Sequence, residues 1–132
     1  MSGDSSKNSR CLILIVDDAE EMRLLRREYL EREGYRVIEA EDGQKGLEAA
    51  IRERPQLILM NYLMPVMNGL ESARRIRRQR GLKKVPILMN SGCSEESTRE
   101  LAIEAGCNDY VEEPCFFDEL MEKVERLTAA AK

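Results

Sequence analysis

The sequence predicts a doubly wound α/β fold on a five-stranded parallel sheet, and three observations predict it. Apolar runs of strand length alternate five times with longer segments whose apolar residues recur at helical spacing. The runs LILIV and LILM are apolar at every position, the pattern of strands covered by helices on both faces. Polar residues stand where the strands end: Asp17-Asp18, Asn61, Ser91-Gly92 and Glu112-Glu113-Pro114. Right-handed crossovers would gather those ends at one edge, where folds of this class bind their ligands.

The first strand is predicted at 11–17, and a helix at 19–32 places Met22, Leu25, Tyr29 and Leu30 on one face before Gly34 stops it. A second strand at 36–40 leads to a helix at 44–53, ended by Arg54-Pro55 because proline disfavours helical geometry in the residue before it. The third strand covers 57–61. After a turn from Pro65 to Gly69, the third helix runs to Arg80, and Gly81 ends it. The fourth strand is predicted at 86–90, with Ser94 as N-cap of a helix at 95–105 that Gly106 closes. A fifth strand at 108–112 and a last helix at 117–130 complete the pattern, leaving residues 1–10 as a disordered segment and 11–130 as one domain.

Composition narrows the function classes. A chain of 132 residues, 42% apolar and 35% charged, has room for one domain. Its longest uninterrupted apolar run, Cys11 to Val16, is far below the roughly 20 residues of a membrane-spanning helix. The segment MSGDSSKNSR lacks the apolar centre of a secretory signal, so the expected location is the cytoplasm. Cys11, Cys93, Cys107 and Cys115 form no CxxC pair and histidine is absent, which leaves no zinc or thioredoxin-like motif. They read as reduced, mostly buried thiols. A net charge of -4 argues against broad nucleic-acid affinity.

LILIVDD at 12–18, LILMNYLMPVMNG at 57–69, PILMNSG at 86–92 and AGCNDYVEEPC at 105–115 together resemble receiver domains of two-component response regulators, from about Cys11 to Leu127. The resemblance implies a flavodoxin-like sheet in strand order 2-1-3-4-5 with five helices. It also implies roles. In that family an acidic pair after strand 1 and an aspartate ending strand 3 hold Mg2+, and the aspartate accepts a phosphoryl group from a histidine kinase. A serine or threonine ending strand 4 bonds the phosphoryl oxygen, and a lysine before a proline after strand 5 pairs with its charge. By position these roles fall on Asp17 and Asp18, Asn61, Ser91, and Glu113 before Pro114. Tyr110 takes the place of the family's switch aromatic.

Two of these positions depart from the pattern. The amide of Asn61 lacks the nucleophilic carboxylate oxygen, so an acyl phosphate cannot form there by the ordinary route. It also offers a metal less than an anion does, which weakens a site at Asp17 and Asp18. Glu113 would repel the phosphoryl oxygens that a cation there would neutralise. Over these four positions the family carries three negative charges and one positive, and this chain carries three negative and none positive. Such a cluster must protonate a member, recruit a cation, or find an Arg or Lys elsewhere.

The expected function is therefore a degenerate receiver that turns over no substrate and works by contact with a protein such as a histidine kinase or output domain. The alternative is an ordinary phospho-accepting receiver whose acceptor aspartate was deliberately replaced by Asn61. Plainer roles remain open for single residues: Asp17 and Asp18 as caps of the first helix, Ser91 as a partner of loop backbone, and Tyr110 as a fixed ring. A phosphatase using Asp17 as nucleophile is disfavoured by Ala19, which stands where the general acid would be. The acidic loop Asp-Asp-Ala-Glu-Glu would repel a flavin phosphate.

Two surfaces draw attention. Arg74, Arg75, Arg77, Arg78, Arg80, Lys83 and Lys84 form a cluster whose default reading is a solvated face, and no aromatic interleaving supports nucleic-acid readout. The family's interaction surface, helix 4, strand 5 and helix 5, would here present Arg99, Glu104, Asp109, Tyr110, Glu119, Glu122 and Lys123. Its mixed charges suit a reversible homodimer or partner contact.

Overall fold

The computed structural model describes residues 11–92 and 96–130; the expected disordered segment and the Ser94 cap lie outside them. Ten elements alternate: β1 (Leu12–Val16), α1 (Glu20–Arg32), β2 (Arg36–Ala40), α2 (Gly43–Glu53), β3 (Leu57–Asn61), α3 (Gly69–Arg77), β4 (Ile87–Ser91), α4 (Glu96–Glu104), β5 (Asp109–Glu112) and α5 (Phe117–Ala130). All five strands pair in parallel, in the order β2-β1-β3-β4-β5, as expected.

Strand alternation divides the core into two layers. Leu14, Val16, Ile58, Met60, Ile87 and Met89 pack against α2, α3 and α4 through Leu47, Ala50, Ala73, Ile76 and Ala102. Ile13, Ile15, Val37, Leu57, Leu59, Leu88 and Val111 face the opposite way, against Leu30 of α1 and Leu120, Val124 and Leu127 of α5. The uniform apolarity of LILIV has this cause: each alternate residue serves a different layer.

Local signals fix the helix ends. Asp42 accepts from the Lys45 N–H at 2.8 Å and Asn68 from the Glu71 N–H at 3.0 Å, starting α2 and α3. Gly34, at φ 98°, ends α1; its N–H bonds the Glu31 carbonyl and the Tyr35 N–H bonds the Leu30 carbonyl, a Schellman closure.

Three expectations about the elements and the α1 stripe are corrected. The third helix stops at Arg77, not Arg80, because the N–H groups of Arg78 and Gln79 reach back only three residues and tighten the last turn. The fourth strand extends through Ser91, whose carbonyl accepts the Glu113 N–H at 2.7 Å. Leu25 is 47% exposed, and the position that α1 buries beside Leu30 is Arg26, at 3% exposure.

Gly69 lets α3 begin against the end of β3. Its N–H bonds the Tyr62 carbonyl at 2.8 Å, and a Cβ there would stand 2.3 Å from the Asn61 carbonyl oxygen. Gly69→Ala is expected to lower stability by about 1–3 kcal/mol through overpacking against backbone, read as a fall in the urea midpoint.

Asp109, expected on the partner surface, is buried and bonds Lys123 at 3.1 Å and Arg126 at 2.7 Å within the chain; Tyr110 is buried too. Burial pushes the Asp109 carboxyl up, but Arg126, the Tyr110 N–H and Lys123 outweigh it and hold it below the usual carboxylate range. The stability it confers is complete above its unfolded value of about 3.9 and is lost as pH falls through the lower folded value. Asp109→Asn is expected to flatten the acid limb of a pH series of urea unfolding free energies below about pH 4.

Candidate functional site

The parallel sheet brings Asp17, Asp18, Asn61, Ser91 and Glu113 to its carboxyl edge, at or just beyond the ends of β1, β3, β4 and β5. Asp17 is 4% exposed and Asp18 lies in solvent. The Asp17 Oδ1 accepts the Ala19 N–H at 2.9 Å, short of α1, whose N-cap Ala19 has no side-chain cap bond. The capping role considered for the acidic pair is thus not the one Asp17 plays. Ser91 is buried at the end of β4, Pro114 is exposed after a cis Glu113–Pro114 peptide, and Tyr110 packs in the layer beneath α2, α3 and α4.

The side chain that joins these ends is Arg26. Its Nη2 donates to the Glu113 carboxylate, and its Nη1 lies 3.8 Å from Asp17 Oδ2. The Asn90 amide has two orientations. In one, Nδ2 donates to Asn61 Oδ1 at 3.2 Å. In the other, Nδ2 donates to the Met60 carbonyl and Oδ1 accepts from Arg26 Nη1, both at 3.3 Å. The first agrees with Asn61 donating through its own Nδ2; the second frees the guanidinium of a facing amide N–H but sets the Asn90 oxygen 3.2 Å from Asn61 Oδ1, acceptor against acceptor.

Arg26 is held from outside as well as within. Tyr29, three residues on, stacks on Phe117 with ring centroids 4.0 Å apart, fixing α1 against the start of α5 and hence near the loop that carries Glu113. Arg23 donates to the Asp17 carbonyl at 2.7 Å and to Glu39 at 2.9 Å, and Arg27 to Glu39 at 2.8 Å. Three arginines thus tie one helix to the sheet edge.

Magnitudes show what this pair does. Opposite charges at the Arg26–Asp17 distance of 3.8 Å attract by about 4 kcal/mol at an effective dielectric of about 20. Desolvation costs several kcal/mol per ion and roughly cancels that gain. The Asp17 carboxyl reports the same balance: burial pushes it up, the Ala19 N–H, Arg26 and Arg23 pull it down, Asp18 adds repulsion, and the net direction is up.

Asn61 turns a donor toward the oxygens around it. Its Nδ2 bonds the Leu63 carbonyl at 3.0 Å and lies 3.4 Å from Asp18 Oδ1. Both carboxylates that the sequence offers to a divalent ion already have partners: Asp17 takes the Ala19 N–H and faces Arg26, and Asp18 faces the Asn61 amide. Among the described residues no three His, Cys, Asp or Glu side chains form a metal-holding group. As arranged, the donor set does not fit Mg2+.

Comparison with known proteins follows this geometry. Residues 13–125 match the response regulator receiver domain. The chain belongs to that family. It is 38% identical over 119 residues to the transcriptional regulatory protein ResD of Bacillus subtilis, covering 90% of this chain and 48% of that protein. Among solved structures, the Vibrio cholerae chemotaxis protein CheY4 superposes with a TM-score of 0.84 at 28% identity, covering 89% of this receiver and 98% of CheY4. The receiver domain of the sensor histidine kinase PA1611 of Pseudomonas aeruginosa, solved with magnesium in its active-site cleft, gives 0.84 at 32% identity, covering 90% and 98%. The receiver spans about half the length of the curated relatives it matches. No helix among the described residues is long and apolar enough to cross a membrane.

Sequence reasoning missed Arg26, although a signal was there. Arg26 lies four residues after Met22 and four before Leu30, on the stripe predicted to be apolar, and the strand-end acids lacked a positive partner. The basic cluster also divides. Arg77 bonds the Gly106 and Leu82 carbonyls and Asn108 Oδ1, so it is part of the fold, whereas Arg75 pairs with Glu71 on the surface. Cys11 and Cys107 are buried, the latter pushed up by burial to about 12, and Cys115 is half-buried; Cys93 lies outside the described residues.

Arg26→Met is expected to cost about 3–5 kcal/mol, because it leaves Asp17 and Glu113 without their counter-charge. Adding Asp17→Asn and Glu113→Gln to that variant should recover most of the loss, as measured by urea unfolding.

Proposed function

We propose that this receiver is degenerate: it serves two-component signalling by protein contact, with a histidine kinase or an output domain as partner, and accepts no phosphoryl group at 61. It turns over no substrate and works in the cytoplasm. The single observation that carries this reading is the Arg26–Glu113 pair. It places a carboxylate where phosphoryl charge would have to be neutralised and commits the nearby cation to that carboxylate. Asn61 supports it, since its amide donates to Leu63 and Asp18 and has no nucleophilic oxygen.

The partner surface differs from the one read from sequence. Asp109 and Tyr110 are withdrawn from it, and Arg99, Glu104, Glu119 and Glu122 remain exposed along α4 and α5. A homodimer through α4, β5 and α5 would rest on these side chains. Magnesium would find Asp17 and Asp18 already engaged, so the output follows partner contact and not metal loading.

The test is labelling with acetyl phosphate and magnesium, read by intact mass. The unaltered chain and Asn61→Asp are both expected to stay unlabelled. Robust labelling of Asn61→Asp would instead establish an ordinary receiver whose acceptor had been replaced, and a label on Asn61 itself would refute both readings.

A further inference from the structure

We infer that Arg26 is a built-in cation of this pocket, holding the acidic strand ends together in place of a divalent metal, so that the domain keeps its conformation without magnesium. The inference rests on the degenerate reading but concerns metal binding, so a failed titration and a failed labelling experiment are told apart.

The guanidinium joins two structural units: Asp17 after β1 and Glu113 in the loop after β5. Bridging of that kind is what a metal does for a cluster of acids, and a planar fork of donors can do it too. Arg26 cannot readily withdraw. Its side chain is 4% exposed, and α1 is pinned on either side by the Tyr29–Phe117 stack and the Arg23 bonds to Asp17 and Glu39.

A tethered cation competes with a free one on favourable terms. It is always present at the site, and its association loses no translational freedom. The guanidinium is also weakly hydrated, whereas Mg2+ sheds water reluctantly and demands near-octahedral oxygen ligands. The Asn61 amide acts in the same sense, presenting N–H to Asp18 and the Leu63 carbonyl. Charge alone would still attract magnesium, since Asp17, Asp18 and Glu113 outnumber Arg26. Position decides against it, because the positive charge sits against Asp17, where a metal would have to bind.

The experiment is a magnesium titration of the whole chain followed by 1H–15N NMR and calorimetry, with calcium as a charge-matched control. The unaltered protein is expected to give no saturable shifts at Asp17, Asp18 or Asn61 at millimolar magnesium, and no rise in melting temperature. Arg26→Gln/Glu113→Gln, which removes one charge of each sign, is expected to bind magnesium at least about tenfold more tightly, equal to about 1.4 kcal/mol. Adding Asp18→Asn should abolish the gain. Arg26→Lys keeps the charge and is expected to remain insensitive. Saturable millimolar binding by the unaltered chain overturns the inference, whether or not the double variant folds. So does a folded double variant with no gain.

Discussion

The ion pair between Arg26 and Glu113, set against Asp17, is the constraint on which the arrangement of the strand ends depends. Three acids converge there because a parallel sheet leaves them no choice: right-handed crossovers deliver every strand end to the same edge. Carboxylates that are buried and close must be neutralised or compensated. With Glu113 in place of a cation, compensation has to come from another element, and α1 supplies it through Arg26.

That demand explains features of α1 that amphipathicity does not. Its buried stripe carries an arginine between Met22 and Leu30, while Leu24 and Leu25 are exposed. Arg23, Arg26 and Arg27 all point to acceptors on the sheet edge, so the helix is docked by polar bonds at its first half and by Leu30 and the Tyr29–Phe117 stack at its second. Polar docking gives little net free energy, because desolvation offsets attraction. What it gives is register, since a guanidinium that must meet Asp17 and Glu113 together restricts how the helix can be placed.

The architecture was legible in the sequence because its signals are local and redundant. Doubly apolar strands, Gly34, Arg54-Pro55 and Gly106 each mark a boundary by backbone chemistry that tertiary context does not alter. Asp17, Asp18, Asn61, Ser91 and Glu113 could be placed at one edge for the same reason. The unreadable part depended on pairing across long separations. Arg26 and Glu113 lie 87 residues apart, and nothing in either neighbourhood names the other. Asp109 was misread as surface because an acid on a short strand looks exposed until Lys123 and Arg126 are seen to cover it. The end of α3 was missed because helical periodicity continues past Arg77 while the backbone tightens to three-residue bonds.

The charge count that departed from the family pattern in the sequence matches it in the fold. The family pattern sets three carboxylates against one lysine; here Asp17, Asp18 and Glu113 stand against Arg26, again three against one. The total is kept and the places are exchanged: a negative charge has moved from the end of β3 to the loop after β5, and a positive charge from that loop to α1. The fold feels chiefly the total, so the sheet edge holds together. Phosphoryl chemistry needs the places, because a nucleophile must sit at the end of β3 and a cation must face what it receives. A fourth carboxylate at 61 would set four negative charges against one, with the single cation already bound to Glu113. On the degenerate reading proposed above, an uncharged Asn61 keeps that count at three against one.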